Sequence, residues 1–351
     1  LAGMALMRAA RVLCAAAAGA LLHAVLDSRL GTAGDLEIFL AAARAERPYD
    51  AGSVLAAMKA GGRVVRWVEE WAGRGCSPFF YPPGIWHAMR PMGRMDRGAA
   101  LLMLALLNAG AMAAMAVRAP AAARRDFVIL ALPTLAMNIA LGQVNLILAA
   151  MADAGLAGLA ASCKPFALAG ARPGRRIREA ALLAGLLAAQ WAAFGDLFRE
   201  WLSNLPCLER LGDPGGAVGA WQAGVRALLP LPVPLARFAW AAGLLAGGPL
   251  GLAAAAFLSP ASWIPYDAFF LPLLRERLKE GASPVLPAAW MLMAAGGLPF
   301  LPPALAAAGR LALLTDSALC GIKKGKGACG GIAPIRRLFH LITIRRLRWL
   351  S

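Results

Sequence analysis

Residues 127–171 read FVILALPTLAMNIALGQVNLILAAMADAGLAGLAASCKPFALAGA. The run is apolar for essentially its whole length, enough for two membrane crossings at about 20 residues each. Two polar interruptions break it, Gly142-Gln143-Val144-Asn145 and Lys164-Pro165. Polar side chains at membrane depth are costly, so they pair, line a cavity or carry chemistry. Broken helices at that depth need water or protein partners for the backbone groups they free. The stretch therefore reads as membrane-embedded helix, interrupted at two places where a cavity can form.

The rest of the chain agrees. Of 351 residues, 60% belong to the set AVILMFWYC and only 16% are charged, against roughly 25% in a soluble domain. Mean hydropathy is +0.62. So little polar surface excludes a soluble enzyme, a disordered chain and a disulfide scaffold. The expected fold is all-α, a polytopic transmembrane helical bundle with several broken or short helices. The net charge of +17 is concentrated at Arg124–Arg125, Arg172–Arg178, Arg275–Lys279 and Arg336–Arg348, between apolar runs. That is the bias of cytoplasmic loops, not a nucleic-acid footprint; the expected partners include membrane lipids and no nucleic acid. The 6 cysteines show no CxxC spacing, and no Gly-rich phosphate loop is present. No metal and no cofactor are expected.

Along the chain, Val12–Leu26 is the first span, and Arg8 and Arg11 hold its N-terminus inside. Residues 27–97 form an outer loop and re-entrant region, with short interfacial helices over Leu36–Ala45 and Val64–Trp71. The remaining spans fall within 98–308. They include Ala99–Val117 and Ala180–Phe194, followed by a second mixed loop over Asp196–Leu229. The membrane domain is thus expected over 1–310, with a basic tail over 311–351 that could meet anionic headgroups. The parity of basic loops gives about eight to twelve crossings.

The candidate site residues each have two readings. Gln143 and Asn145 either glue helices together or serve the cavity. Lys164 either snorkels to a headgroup or aims a compact ammonium at a phosphate. Ser259-Pro260-Ala261-Ser262-Trp263 with Tyr266-Asp267 is either a loop with an interfacial Trp or a binding patch. Tyr81-Pro82-Pro83 and His87 either simply start a helix or face the site. Asp35, with Glu37 two residues on, is a general base, a weak metal pair or a solvated acid. Asp50 is a second candidate base.

In order, these stretches resemble glycosyltransferase family 87, the mannosyltransferase-like membrane proteins of the GT-C superfamily. The resemblance is carried by Asp35-Leu36-Glu37-Ile38-Phe39 through Pro48-Tyr49, Phe80-Tyr81-Pro82-Pro83, Gly142-Gln143-Val144-Asn145, Lys164-Pro165-Phe166 and Ser259-Pro260-Ala261-Ser262-Trp263. It covers about Val12 to Leu274. It implies a GT-C-like multi-pass protein of the plasma (inner) membrane with an extracytoplasmic active site. The donor it implies is a polyprenyl-phosphate sugar, with mannose as the sugar, and the acceptor is a lipid or glycan. Asp35 would be the base, Lys164 would bind the donor phosphate, and the anomeric carbon would be inverted. Tyr81, Gln143, Asn145, Ser259, Trp263, Tyr266 and Asp267 would contact substrate. Where the family often has a His pair, Tyr266-Asp267 stand here. A lipid or solute transporter would share the broken helices, and a non-catalytic scaffold for polysaccharide assembly would share the motifs. A transporter would be expected to hold its ionisable groups at the midplane, whereas Asp35 follows the first span.

Overall fold

Local chemistry sets the helix ends. The Asp50 carboxylate accepts from the backbone N–H of Ser53 at 2.7 Å, and that of Asp96 accepts from Ala99 at 2.9 Å. Each satisfies an N–H that the first helical turn leaves without a partner. Gly142 ends its helix in the left-handed conformation, φ 67°, which glycine adopts without steric cost.

The computed structural model describes residues 2–26, 34–62, 64, 66–171, 173–207, 238, 241–245, 252, 264–280, 286, 289–290, 293 and 309–316. The helices are α1 (Ala2–Leu26), α2 (Gly34–Arg44), α3 (Ala51–Ala60), α4 (Arg66–Ala72), α5 (Pro83–Met89), α6 (Arg97–Val117), α7 (Ala121–Leu141), α8 (Asn145–Asp153), α9 (Ala157–Ala161), α10 (Arg176–Asn204) and α11 (Leu271–Lys279). Short 3₁₀ helices cover Arg90–Arg94, Pro165–Gly170 and Ile264–Phe270, and residues 309–316 are helical. No strand occurs among the described residues.

The two expected interfacial helices are α2 and α4; α3, between them, is additional. In the run 127–171 only α7 is long. Beyond Gly142 the chain breaks into α8, α9 and a 3₁₀ helix. The span expected over Ala180–Phe194 is part of α10, which continues to Asn204 through non-helical backbone at Phe194 (φ −130°, ψ 26°). The start of the expected second loop is therefore helix, because Phe198, Trp201 and Asn204 recur at helical spacing and are buried. Among the described residues, α6 and α10 are long and apolar enough to cross a membrane. Leu102, Leu106, Leu107 and Val117 of α6 are exposed.

Packing gives the bundle two distinct ends. Met7, Ala10, Cys14, Ala17 and Ala18 are buried residues of α1, and beyond Met7 they are small enough for close approach to α7. Arg11 pairs with Asp126 at 2.5 Å and Ala18 packs with Ala136, so the two helices run parallel. Helix α6 packs on α7 and α8. Arg97 at its start pairs with Glu37 of α2, and Arg118 at its far end reaches Asp153 of α8 at 2.9 Å. Asp153 also receives a two-pronged contact from Arg275, at 2.6 and 2.9 Å.

One reading of the sequence is corrected here. The basic run Arg275–Lys279, read as having the bias of a cytoplasmic loop, is helical and part of α11, with Arg275 and Arg277 buried against Asp153 and Asp316. Opposite charges pull these long side chains inward because each finds a partner there. The packed core also continues past residue 310, through Ala312, Leu313, Leu314 and the Arg277–Asp316 pair. Replacing Asp153 by Ala leaves Arg275 buried without its main counter-charge. The expected cost is about 3 kcal/mol or more, read as a lowered thermal midpoint of the purified protein in detergent; Arg118→Ala, at a half-exposed position, should cost far less.

Candidate active site

The site is built on the turn between α7 and α8. Gly142 N–H bonds the Ile139 carbonyl, and Gln143 N–H bonds the Asn138 carbonyl at 2.8 Å. A Cβ at position 142 would lie 2.5 Å from the Leu36 Cβ and 2.9 Å from its backbone nitrogen. Glycine there lets the first turn of α2 settle directly on the turn. Leu36 is fully buried with Leu40, Ala100 and Leu104. That packing presents the neighbouring Asp35, half-buried, to the side chain of Gln143.

Gln143 is the centre of the network. Its Nε2 donates to the Asp35 Oδ2. Its Oε1 accepts from Lys164 Nζ at 2.9 Å and from Asn145 Nδ2 at 3.2 Å. Lys164 Nζ also donates to Asn145 Oδ1 at 2.8 Å. The amide dipole thus has its oxygen toward the cation and its nitrogen toward the anion, an arrangement that each charge stabilises. Gln143 and Asn145 are buried. Lys164 stands at the entry to the 3₁₀ helix Pro165–Gly170, in extended backbone with φ −139° and ψ 114°. Pro165 disfavours helix at the residue before it, which turns the lysine out of the α9 direction.

Tyr81 closes one wall. Lys164 Nζ lies 5.2 Å from the centre of its ring, within cation–π range. Phe39 meets the same ring edge-on at 5.1 Å. The loop 76–81 is held on all sides. Tyr49 donates its hydroxyl to the Tyr81 carbonyl at 2.6 Å, and Trp201 Nε1 donates to the Phe80 carbonyl at 2.8 Å. The Asn204 side chain accepts from Ser77 N–H and donates to the Ser77 and Phe79 carbonyls. A disulfide joins Cys76 to Cys207. The outer part of α10, beyond its bend at Phe194, thus anchors the loop that carries Tyr81.

Asp35, Tyr81, Gln143, Asn145 and Lys164, read separately from the sequence, therefore meet in one place. Asp267 takes a different position. It is buried and paired with Arg310 at 2.5 Å, on a 3₁₀ helix whose Phe269 stacks 4.9 Å from Phe166. Tyr266 lies on the same 3₁₀ helix; Ser259 and Trp263 lie outside the described residues. The alternative acids are occupied elsewhere: Glu37 pairs with Arg97, and Asp50 caps α3. Among the described residues, no three metal-ligating His, Cys, Asp or Glu side chains gather. Two features escape the reading of the sequence. Asn108 of α6 donates to the Gln143 carbonyl at 2.8 Å, and its trace in the sequence is a lone amide in an otherwise apolar span. The Cys76–Cys207 bridge joins positions 131 residues apart, with no spacing pattern to announce it.

Burial pushes the Asp35 carboxyl up to about 6, against the pull of the Lys164 ammonium. A carboxylate so placed can take a proton near neutral pH, while a cation on the other side of one amide can neutralise a leaving anion. The sequence model of glycosyltransferase family 87 matches residues 79–278, more than half of the chain. The match includes Tyr81, Gln143, Asn145 and Lys164; Asp35 precedes it. No curated protein and no solved structure matches. The wall, the amide turn and the lysine lie inside the matched region, and the chain belongs to glycosyltransferase family 87.

Proposed function

We propose that the protein is an integral-membrane glycosyltransferase that moves a sugar, mannose in the first instance, from a polyprenyl-phosphate donor to a lipid or glycan acceptor. The observation that carries this reading is the linkage of Asp35 to Lys164 through the Gln143 amide. Asp35 takes the proton of the acceptor hydroxyl as its oxygen forms a bond to the anomeric carbon. The bond from that carbon to the phosphate oxygen breaks on the opposite face, with inversion. The electron pair leaves with the polyprenyl phosphate, and Lys164 meets the charge that develops there. Tyr81 and Asn145 border the sugar. Ser259, Trp263, Tyr266 and Asp267 are further proposed substrate contacts, and of these Asp267 is buried and paired with Arg310. The reaction needs no metal and no cofactor in this reading.

The two ends of the bundle support an extracytoplasmic site in a multi-pass plasma-membrane protein. Arg11, Arg118 and Arg124 belong to one end, where α6 finishes and α7 starts, as expected for the cytoplasmic side. Asp35 belongs to the other, with the Cys76–Cys207 disulfide, a bond that persists in oxidising compartments. Family membership favours transfer over transport as the use of this site.

The test uses membranes containing the full chain and radiolabelled polyprenyl-phosphate mannose. Label should pass to an extractable lipid or glycan product, and Asp35→Asn membranes should lack it. Transfer from a nucleotide sugar instead, with none from polyprenyl-phosphate sugars, would overturn the donor assignment.

A further inference from the structure

We infer that Asn108, in the middle of α6, is a positioning residue that sets the Gln143 amide between Asp35 and Lys164. Asn108 is fully buried in a helix whose other interior positions are apolar or glycine. Its Nδ2 donates twice, to the Leu104 carbonyl one turn back at 2.9 Å and across to the Gln143 carbonyl at 2.8 Å. Its Oδ1 has no hydrogen-bond partner among the described residues. A buried acceptor without a partner is a cost that leucine would avoid at the same position. The bond across to Gln143 is the feature that offsets it.

That bond falls on the backbone of the residue whose side chain makes the network. The turn is held on its N–H side by the Asn138 carbonyl and on its C=O side by Asn108. With both fixed, the two peptide planes that flank the Gln143 Cα are fixed. The side chain then leaves in the direction that brings Nε2 to Asp35 and Oε1 to Lys164. If the Asn108 bond is lost, the carbonyl is left buried without this donor and the turn relaxes. Asp35 and Lys164, opposite charges on either side of a displaced amide, can then close on each other and shut the space in which donor and acceptor meet. This inference rests on the transferase reading only for its consequence to rate. The placement of Gln143 is independent of it.

Two variants separate the contacts. Asn108→Leu removes both bonds. Asn108→Ser keeps a donor for the carbonyl one turn back, as serine does in helices, but is too short to reach Gln143. The full chain in detergent is treated with a small amine-acylating reagent, and Lys164 modification is read by mass spectrometry against the exposed Lys59. Both variants should change the Lys164-to-Lys59 ratio about fivefold, the equivalent of one hydrogen bond, and lower the initial transfer rate about tenfold. Adding Asn108→Ser to Gln143→Leu should change neither readout further, because the bond to the backbone carbonyl of residue 143 acts on the site only through the Gln143 side chain, which leucine has already removed. A ratio unchanged in folded Asn108→Ser protein, or effects that multiply in the double variant, would overturn the inference. If the labelling ratio moves but the wild-type protein transfers no lipid-linked sugar, the positioning role stands and the transferase reading falls.

Discussion

Asp35→Asn is expected to lower turnover by roughly 10²–10⁴-fold while leaving donor binding little changed. The substitution keeps the size of the side chain and its place on the first turn of α2, but it removes the carboxylate basicity on which the proposed proton transfer depends. The same assignment makes a statement about pH. A carboxyl raised to about 6 by burial is protonated, and idle as a base, over a wider acid range than an ordinary one. So kcat/KM should fall as pH drops from about 7 through about 6, whereas an unshifted carboxylate would hold to about pH 4. The measurement is the initial rate against pH in nanodiscs, with donor affinity measured in parallel. A near-full rate in Asp35→Asn would remove the base assignment. Neither Glu37 nor Asp50 stands ready to inherit it, since one is bound to Arg97 and the other to the start of α3.

Lys164→Ala is expected to weaken both donor binding and turnover, because the donor carries its phosphate charge before the reaction begins. The loss in binding should be roughly tenfold or more, the usual weight of a hydrogen bond to a charged group. The variant also leaves Gln143 and Asn145 without a common donor, so the turn loses order as well as charge. Lys164→Arg should recover only part of the activity. A planar guanidinium cannot replace a compact ammonium between two amide oxygens and the face of Tyr81. Equilibrium binding of polyprenyl-phosphate mannose to each variant separates the two effects. Normal donor binding by Lys164→Ala would reduce the lysine to a structural member of the network and move the phosphate contact toward Ser259–Asp267.

Much of this was legible along the chain. Apolar runs and charge clusters announced the helices, and Pro165 and Gly142 announced breaks in them. Gln143, Asn145 and Lys164 stand out because each is a polar group in an apolar run, whereas Asp35 and Tyr81, in a mixed loop, are singled out by the family resemblance. Asn108 meets the same criterion, but a lone amide in a long apolar span carries no mark that separates a site contact from an ordinary bond between helices. The polar residues Asp196 and Arg199 hid the continuation of α10 past Phe194, although Phe198 and Trp201 keep the helical spacing and are buried.

The sequence by itself determined where the chain is helical, where it breaks, and which residue types are available for proton transfer and for holding a phosphate. Those properties are local: a cap, a proline or an apolar run acts within a few residues of itself. Only the tertiary structure decided which of those residues meet. Gln143 reaches Asp35 across 108 positions, Arg275 reaches Asp153 across 122, and Cys76 reaches Cys207 across 131. Periodicity says which face of a helix turns inward, but not which helix lies opposite. That choice is made by packing, where a missing Cβ at Gly142 admits Leu36 and a buried amide on α6 bonds the turn whose Gln143 links Asp35 to Lys164.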